Sequence, residues 1–215
     1  MKVLSLAVCL LFCFHSNAQN RFVLNGMLSG TASKWIYLQY ENEVAEEVRD
    51  STIVQNGFFS FSGRIDQPTR AILKLNRQVI PDDENLNILQ IILAPGEVGI
   101  KVKYNDFQHG IVTGSKPHDE FKQLRKSAQP FVDKYLLLRD SLSKMERPKP
   151  ESTTNKVAIA DLNQRINNAI AGMRKTSFNF IQDHPGSWVS AFELNNLKTT
   201  SFTTSSGAIT SNLLE

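Results

Sequence analysis

Apolar and polar residues alternate at a period of two along the first half of the chain, then recur at intervals of three and four along the second. Phe22, Leu24 and Gly26 alternate with Val23, Asn25 and Met27. Val98, Ile100, Val102 and Tyr104 alternate with Gly99, Lys101 and Lys103. That period places every second side chain on one face of a sheet, so each run predicts a strand with one buried face. Similar runs occur at Trp35 to Tyr40, Val48 to Val54, Phe58 to Gly63, Ala71 to Leu75 and Ile88 to Leu93. Asn56-Gly57 stands between two of them and predicts a type I′ hairpin turn, because both residues take positive φ at low cost. Pro68, Pro81 and Pro95-Gly96 punctuate other connections. Short strands at this spacing predict an α+β chain that opens with an antiparallel β-sandwich or roll. Ile88 to Leu93 is apolar on both faces and is expected in a central position.

After Gly114-Ser115 the period changes. Phe121, Leu124, Ala128, Phe131, Tyr135, Leu138, Leu142 and Met145 form one stripe of a long helix. Pro130 lies inside it and lacks the N–H that the helix ladder needs, which predicts a kink or break between Ser127 and Pro130. Arg147-Pro148-Lys149-Pro150 ends the helix. A second stripe runs through Ile159, Leu162, Ile166, Ala169, Met173 and Phe180 and stops at Pro185-Gly186. Together the stripes predict a helical hairpin packed within the chain, with a homodimer seam as the alternative. Ser187 is placed to cap a short third helix carrying Trp188, Val189, Phe192 and Leu197.

The two ends of the chain change this picture. Lys2, the apolar run Val3 to Phe14 and the small-residue site Ser16-Asn17-Ala18 follow the pattern of a secretory signal, with cleavage after Ala18. The run is shorter than the roughly 20 apolar residues that a span needs. A lipid anchor on Cys13 is the rival reading, against which stands the bulky Phe12 before it. Both cysteines, Cys9 and Cys13, fall in this segment, so the cleaved chain would contain no thiol. Between Thr199 and Ser211 nine of thirteen residues are Ser or Thr, which reads as a disordered tail. The organisation expected is therefore signal peptide 1–18, β-sandwich 19–115, helical hairpin and third helix 116–198, and tail 199–215. Export places the protein in the periplasm or cell envelope. Residues 19–115 carry 9 Lys/Arg against 11 Asp/Glu, and residues 116–215 carry 14 against 10. That asymmetry supports the boundary near Ser115 but makes no basic and aromatic stripe for nucleic acid.

Catalytic motifs do not emerge from the residues. His109, His118 and His184 are too far apart for a zinc pattern and read as a strand residue, a helix-start residue and a helix-end residue. Ser205-Ser206-Gly207 lacks the strand and helix that flank a nucleophile elbow. Gly96-Glu97-Val98-Gly99 sits between strands and opens no phosphate-binding helix. No metal and no cofactor is expected. Asp82, Asp83 and Glu84 share a loop, but their spacing matches no calcium loop. Trp35 and Tyr37 point to one side of their strand while Ile36, Leu38 and Tyr40 point to the other. An aromatic pair left open suits sugar stacking; the plainer expectation is that the face is covered.

The ordered series Phe22-x-Leu24-x-Gly26, Trp35-Ile36-Tyr37-Leu38, Asp50-Ser51-x-x-Val54-x-x-Gly57-x-Phe59-x-Phe61-x-Gly63, Pro68, Leu93-x-Pro95-Gly96 and Val112-x-Gly114-Ser115 resembles a known family domain. It is the domain of unknown function that begins many exported thioredoxin-like, thiol-disulfide oxidoreductases of the peroxiredoxin and cytochrome-maturation type. Phe180-Ile181-x-x-His184-Pro185-x-Ser187-x-Val189-Ser190 is similar to the segment on the C-terminal side of that domain in the family. There a Cys-x-x-Cys thioredoxin fold comes next, and no matching cysteine stands here, so no redox role is carried over. The resemblance implies a module that orients, dimerises or presents a partner to a thioredoxin-like domain. The reading is a non-catalytic exported binding or scaffolding module, not an enzyme. Trp35 and Tyr37 are its candidates for ligand stacking, and Phe131, Tyr135 and Trp188 for packing or partner contact. A carbohydrate-binding module is one alternative, and a hydrolase built from Asp82, Asp83, Glu84 and His109 is another.

Overall fold

The computed structural model describes residues 20–30, 33–77, 86–146 and 153–203. The signal segment 1–18, the acidic loop Asp82 to Glu84, the linker 147–150 and the chain after Thr203 lie outside the described residues. Among the described residues are eight strands: β1 (Arg21–Ser29), β2 (Trp35–Glu41), β3 (Glu47–Ile53), β4 (Phe58–Arg64), β5 (Thr69–Lys74), β6 (Ile88–Leu93), β7 (Gly96–Lys103) and β8 (Ile111–Thr113). Helices α1 (Lys116–Glu146), α2 (Thr153–Asp183) and α3 (Trp188–Thr203) come after them. The chain divides into two units, Met1–Asp119 and Glu120–Glu215.

In the first unit the strands form two four-stranded sheets in the orders β4-β1-β7-β8 and β3-β2-β5-β6. Their inner faces share one core. Phe22, Leu24 and Leu28 of β1 meet Ile36 and Leu38 of β2, Leu73 of β5, Ile91 of β6 and Val98 and Ile100 of β7. Each of these side chains is at least 98 % buried, and burial at this level stabilises by roughly 1.5–3 kcal/mol per large aliphatic or aromatic side chain.

Three details depart from the sequence expectation. The sheets are not purely antiparallel, since β1 and β7 pair in parallel from Phe22↔Gly96 to Ser29↔Lys103. The chain leaves β1 to build most of the second sheet and comes back in the same direction, and a parallel neighbour needs a long crossover of that kind. The turn at Asn56-Gly57 has φ of 52° and 82°, as a type I′ turn requires, and Gln55 and Phe58 exchange both backbone bonds. Pairing stops there: β3 joins β2, and β4 joins β1. The turn is a corner between sheets. Finally, β6 is an edge strand, not a central one. Its outward backbone is held at Ile92 by residues at the start of α1. Ser115 Oγ donates to the Ile92 carbonyl at 2.7 Å, and the Ile92 N–H donates to His118 Nδ1 at 3.3 Å. Ser115 also caps α1 by accepting the His118 N–H at 3.2 Å. That latch explains why the unit extends to Asp119, past the boundary expected at Ser115.

Several motif residues serve the packing of this core. A Cβ on Gly26 would lie 1.9 Å from Cζ of Phe59, its partner across the strand pair. One on Gly63 would lie 2.3 Å from the Tyr40 hydroxyl. Large rings fill the space that these glycines leave, and Phe22 meets Tyr40 edge-on at 5.1 Å.

In the second unit, Leu138 and Leu142 of α1 pack with Leu162 and Ile166 of α2. Tyr135, Met145, Ile159 and Ile170 flank that cluster. These positions of the two stripes are therefore packed against each other within the chain. Phe131 lies over Gly172, whose Cβ would stand 2.2 Å from the ring. Pro130 does not break α1, which runs unbroken through it. Ser187 caps α3 by accepting the Val189 N–H at 3.0 Å and donates to Glu120 at 2.6 Å. Helix α3 continues to Thr203, five residues into the segment expected to be a disordered tail.

Candidate binding groove on the second sheet

Strand β2 places Ile36, Leu38 and Tyr40 inward, so its odd-numbered side chains stand on the outer face of the second sheet. Register then decides their neighbours. Tyr37 lies between Ser51 of β3 and Lys74 of β5, and Gln39 lies between Arg49 and Ile72. Trp35 is paired with Ile53. Trp35, Tyr37, Gln39, Arg49, Ser51 and Lys74, with Arg77 just beyond β5, line a groove of about 720 Å³, within the size range of small-molecule sites. Trp35 is 44 % exposed and Tyr37 is half-buried.

The polar groups of the groove are unequally committed. Arg49 is paired with Glu47 on the exposed edge strand. Lys74 is only 8 % exposed, and its Nζ donates to Gln39 Oε1 at 3.0 Å. Asp50 also lines the groove, but its Oδ1 accepts the Ser51 N–H at 2.7 Å. Its charge acts on Tyr40: burial first, and then the Asp50 carboxylate, push the Tyr40 hydroxyl above the usual tyrosine range.

The other sequence candidates belong elsewhere. Phe131 and Tyr135 stand on α1 against α2, and Trp188 opens α3, stacked on Phe192 at 5.3 Å. Of the five, Trp35 and Tyr37 line the groove described above. His109 is in a 3-10 turn (Phe107–His109), not a strand, and its exposed ring is bound by Asp106. Its proposed hydrolase partners Asp82, Asp83 and Glu84 lie outside the described residues. His118 has its ring on the β6 edge. His184 comes just after α2, hydrogen-bonded to the Phe180 carbonyl at 3.1 Å and stacked on that ring at 4.3 Å. Among the described residues no three His, Asp or Glu gather where a metal could be held, and no helix is long and apolar enough to cross a membrane. Gln39, Arg49, Ser51, Lys74 and Arg77 were not singled out by the sequence. Strand alternation puts Gln39, Arg49, Ser51 and Lys74 on an outer face, but only register brings them beside Trp35 and Tyr37; Arg77 lies beyond β5.

Residues 22–121 match the family model described as Domain of unknown function (DUF4369). The match spans both sheets and ends just past the latch, so Ser115 and His118 lie within it together with the groove. No curated protein matches the chain.

Proposed function

We propose that the protein is an exported, non-catalytic binding module whose ligand face is the outer surface of the second sheet. The observation that carries this reading is the groove itself, where Trp35 is held open beside Tyr37 and a nearly buried lysine. Trp35 and its cross-strand neighbour Ile53 are 44 % and 47 % exposed side by side, and contiguous apolar area on an open face marks binding sites. The His109 ring of the hydrolase alternative is bound by Asp106, and the Ser115 hydroxyl donates to the β6 edge. The resemblance to the front module of envelope thiol-disulfide oxidoreductases supports export and a thioredoxin-like partner. The matched segment covers the part of the chain on which most of that resemblance rests.

The test uses the chain with Trp188→Phe, which leaves Trp35 as the only tryptophan. Titration with sugar and small-acid panels should change Trp35 fluorescence, and Tyr37→Ala should remove the change. A flat response to every class would refute the groove reading. N-terminal sequencing of the protein from the cell envelope should begin at Gln19, and an intact Met1 there would refute the export reading.

A further inference from the structure

We infer that the groove takes a ring compound bearing one carboxylate, with Lys74 as the anchor of the anion. This rests on the reading of the groove as the ligand face and names the chemistry of the compound it binds. Lys74 is 8 % exposed, and its ammonium has three donors, of which one goes to Gln39 Oε1 at 3.0 Å. Among the described residues neither Lys74 nor Arg77 forms an ion pair. A charge withdrawn from water against a single neutral acceptor is expensive, and the cost falls when a counter-charge arrives with its own hydrogen bonds. With Arg49 paired to Glu47, the charged groups left in the groove are Lys74, Arg77 and Asp50, an excess of one positive charge that suits a monoanion, and Arg77 has the planar fork that suits a carboxylate. The rest of the ligand is set by the aromatic pair. Trp35 and Tyr37 are two residues apart on one strand face, about 7 Å along it, and Lys74 is directly opposite Tyr37 in the register. A ring lying on Tyr37 thus brings a substituent on its edge to the ammonium. A uronic acid unit and an aromatic acid share this flat face and anionic edge.

The experiment measures binding to the Trp188→Phe chain by Trp35 fluorescence and calorimetry. Glucuronate is compared with glucose, and 4-hydroxybenzoate with 4-hydroxybenzyl alcohol. The first pair reports a sugar acid, the second an aromatic acid. At least one acid should bind about tenfold or more tightly than its neutral partner, a factor equal to about 1.4 kcal/mol. Its affinity should fall as salt is raised. Lys74→Met should lose that affinity yet melt at the same or a higher temperature, because it removes a buried charge while keeping the stem. Equal binding of acid and neutral partner, or full affinity in Lys74→Met, overturns the anion assignment and leaves the groove reading standing. No response to any of the four compounds overturns the anion assignment, while the groove reading falls only with a flat response to the wider panels. The acid-to-neutral ratio and the salt dependence need no Lys74 substitution, so they decide the matter even if Lys74→Met fails to fold.

Discussion

Replacing Ser115 with alanine should destabilise the β unit more than any exposed serine substitution in it. Ser115 is 2 % exposed and His118 7 % exposed. The Ser115 hydroxyl holds the Ile92 carbonyl at 2.7 Å and the His118 N–H at 3.2 Å. Loss of the cap costs about 1 kcal/mol, and a buried carbonyl left without its donor costs about 1–3 kcal/mol. The sum is about 2–4 kcal/mol, which in a domain of this size lowers Tm by roughly 10–25 °C. His118→Phe keeps a ring of similar size but removes the acceptor of the Ile92 N–H, for about 1–3 kcal/mol. Both substitutions open the same edge, so the double variant should lose less than the sum of the two. Urea denaturation followed by Trp35 fluorescence in the Trp188→Phe chain reads the unit that carries the latch. Ser60→Ala serves as the control, since the Ser60 hydroxyl is exposed where it bonds Asn25; it should stay within about 0.5 kcal/mol of the parent. If Ser115→Ala is also that close, or the two latch substitutions add fully, the β6 edge is not held as described. An uncovered edge also offers free backbone to other chains, so the variants should aggregate more readily.

Gly26→Ala should cost about 1–3 kcal/mol by overpacking against Phe59, and adding Phe59→Leu should restore part of it; a thermal melt of the three proteins checks the order. Leu138→Ala should cost about 2–5 kcal/mol by opening a cavity between α1 and α2, seen as earlier loss of helical circular dichroism. Tyr40 keeps its proton to a higher pH in the folded chain than in the unfolded one. The unfolded chain therefore loses that proton first, and stability falls as pH rises past about 10. Denaturation at pH 8 to 11 should show the fall in the parent and a shallower one in Tyr40→Phe; identical slopes would refute it.

Most strands were legible because one face is buried, which imposes a period of two on residues such as Phe22, Leu24, Val98 and Ile100. The type I′ turn was legible in Asn56-Gly57 for an equally local reason, the cost of positive φ. The strands that this turn connects into different sheets were not legible, because pairing depends on partners far away in sequence. Ile88 to Leu93 shows the limit well. Its apolar run announced a largely buried strand, as Leu89, Ile91, Ile92 and Leu93 are, yet an edge strand and a central one can leave the same pattern. The tail shows another, since a Ser/Thr-rich composition says little of the backbone where a helix already under way runs on to Thr203.

The candidate site divides along the same line. Trp35 and Tyr37 stood out as large aromatics on one strand face, whereas Lys74 looked like an ordinary polar residue at a strand end. Alternation, turn chemistry and helical periodicity act over a few residues, so the sequence by itself determined the elements, their order and the change from strands to helices near Ser115. Tertiary structure decided the parallel β1–β7 pair, the latch on β6 and the meeting of Tyr37 with Lys74 across the β2–β5 register. Those outcomes depend on which distant segments bury one another, and no local pattern carries that information.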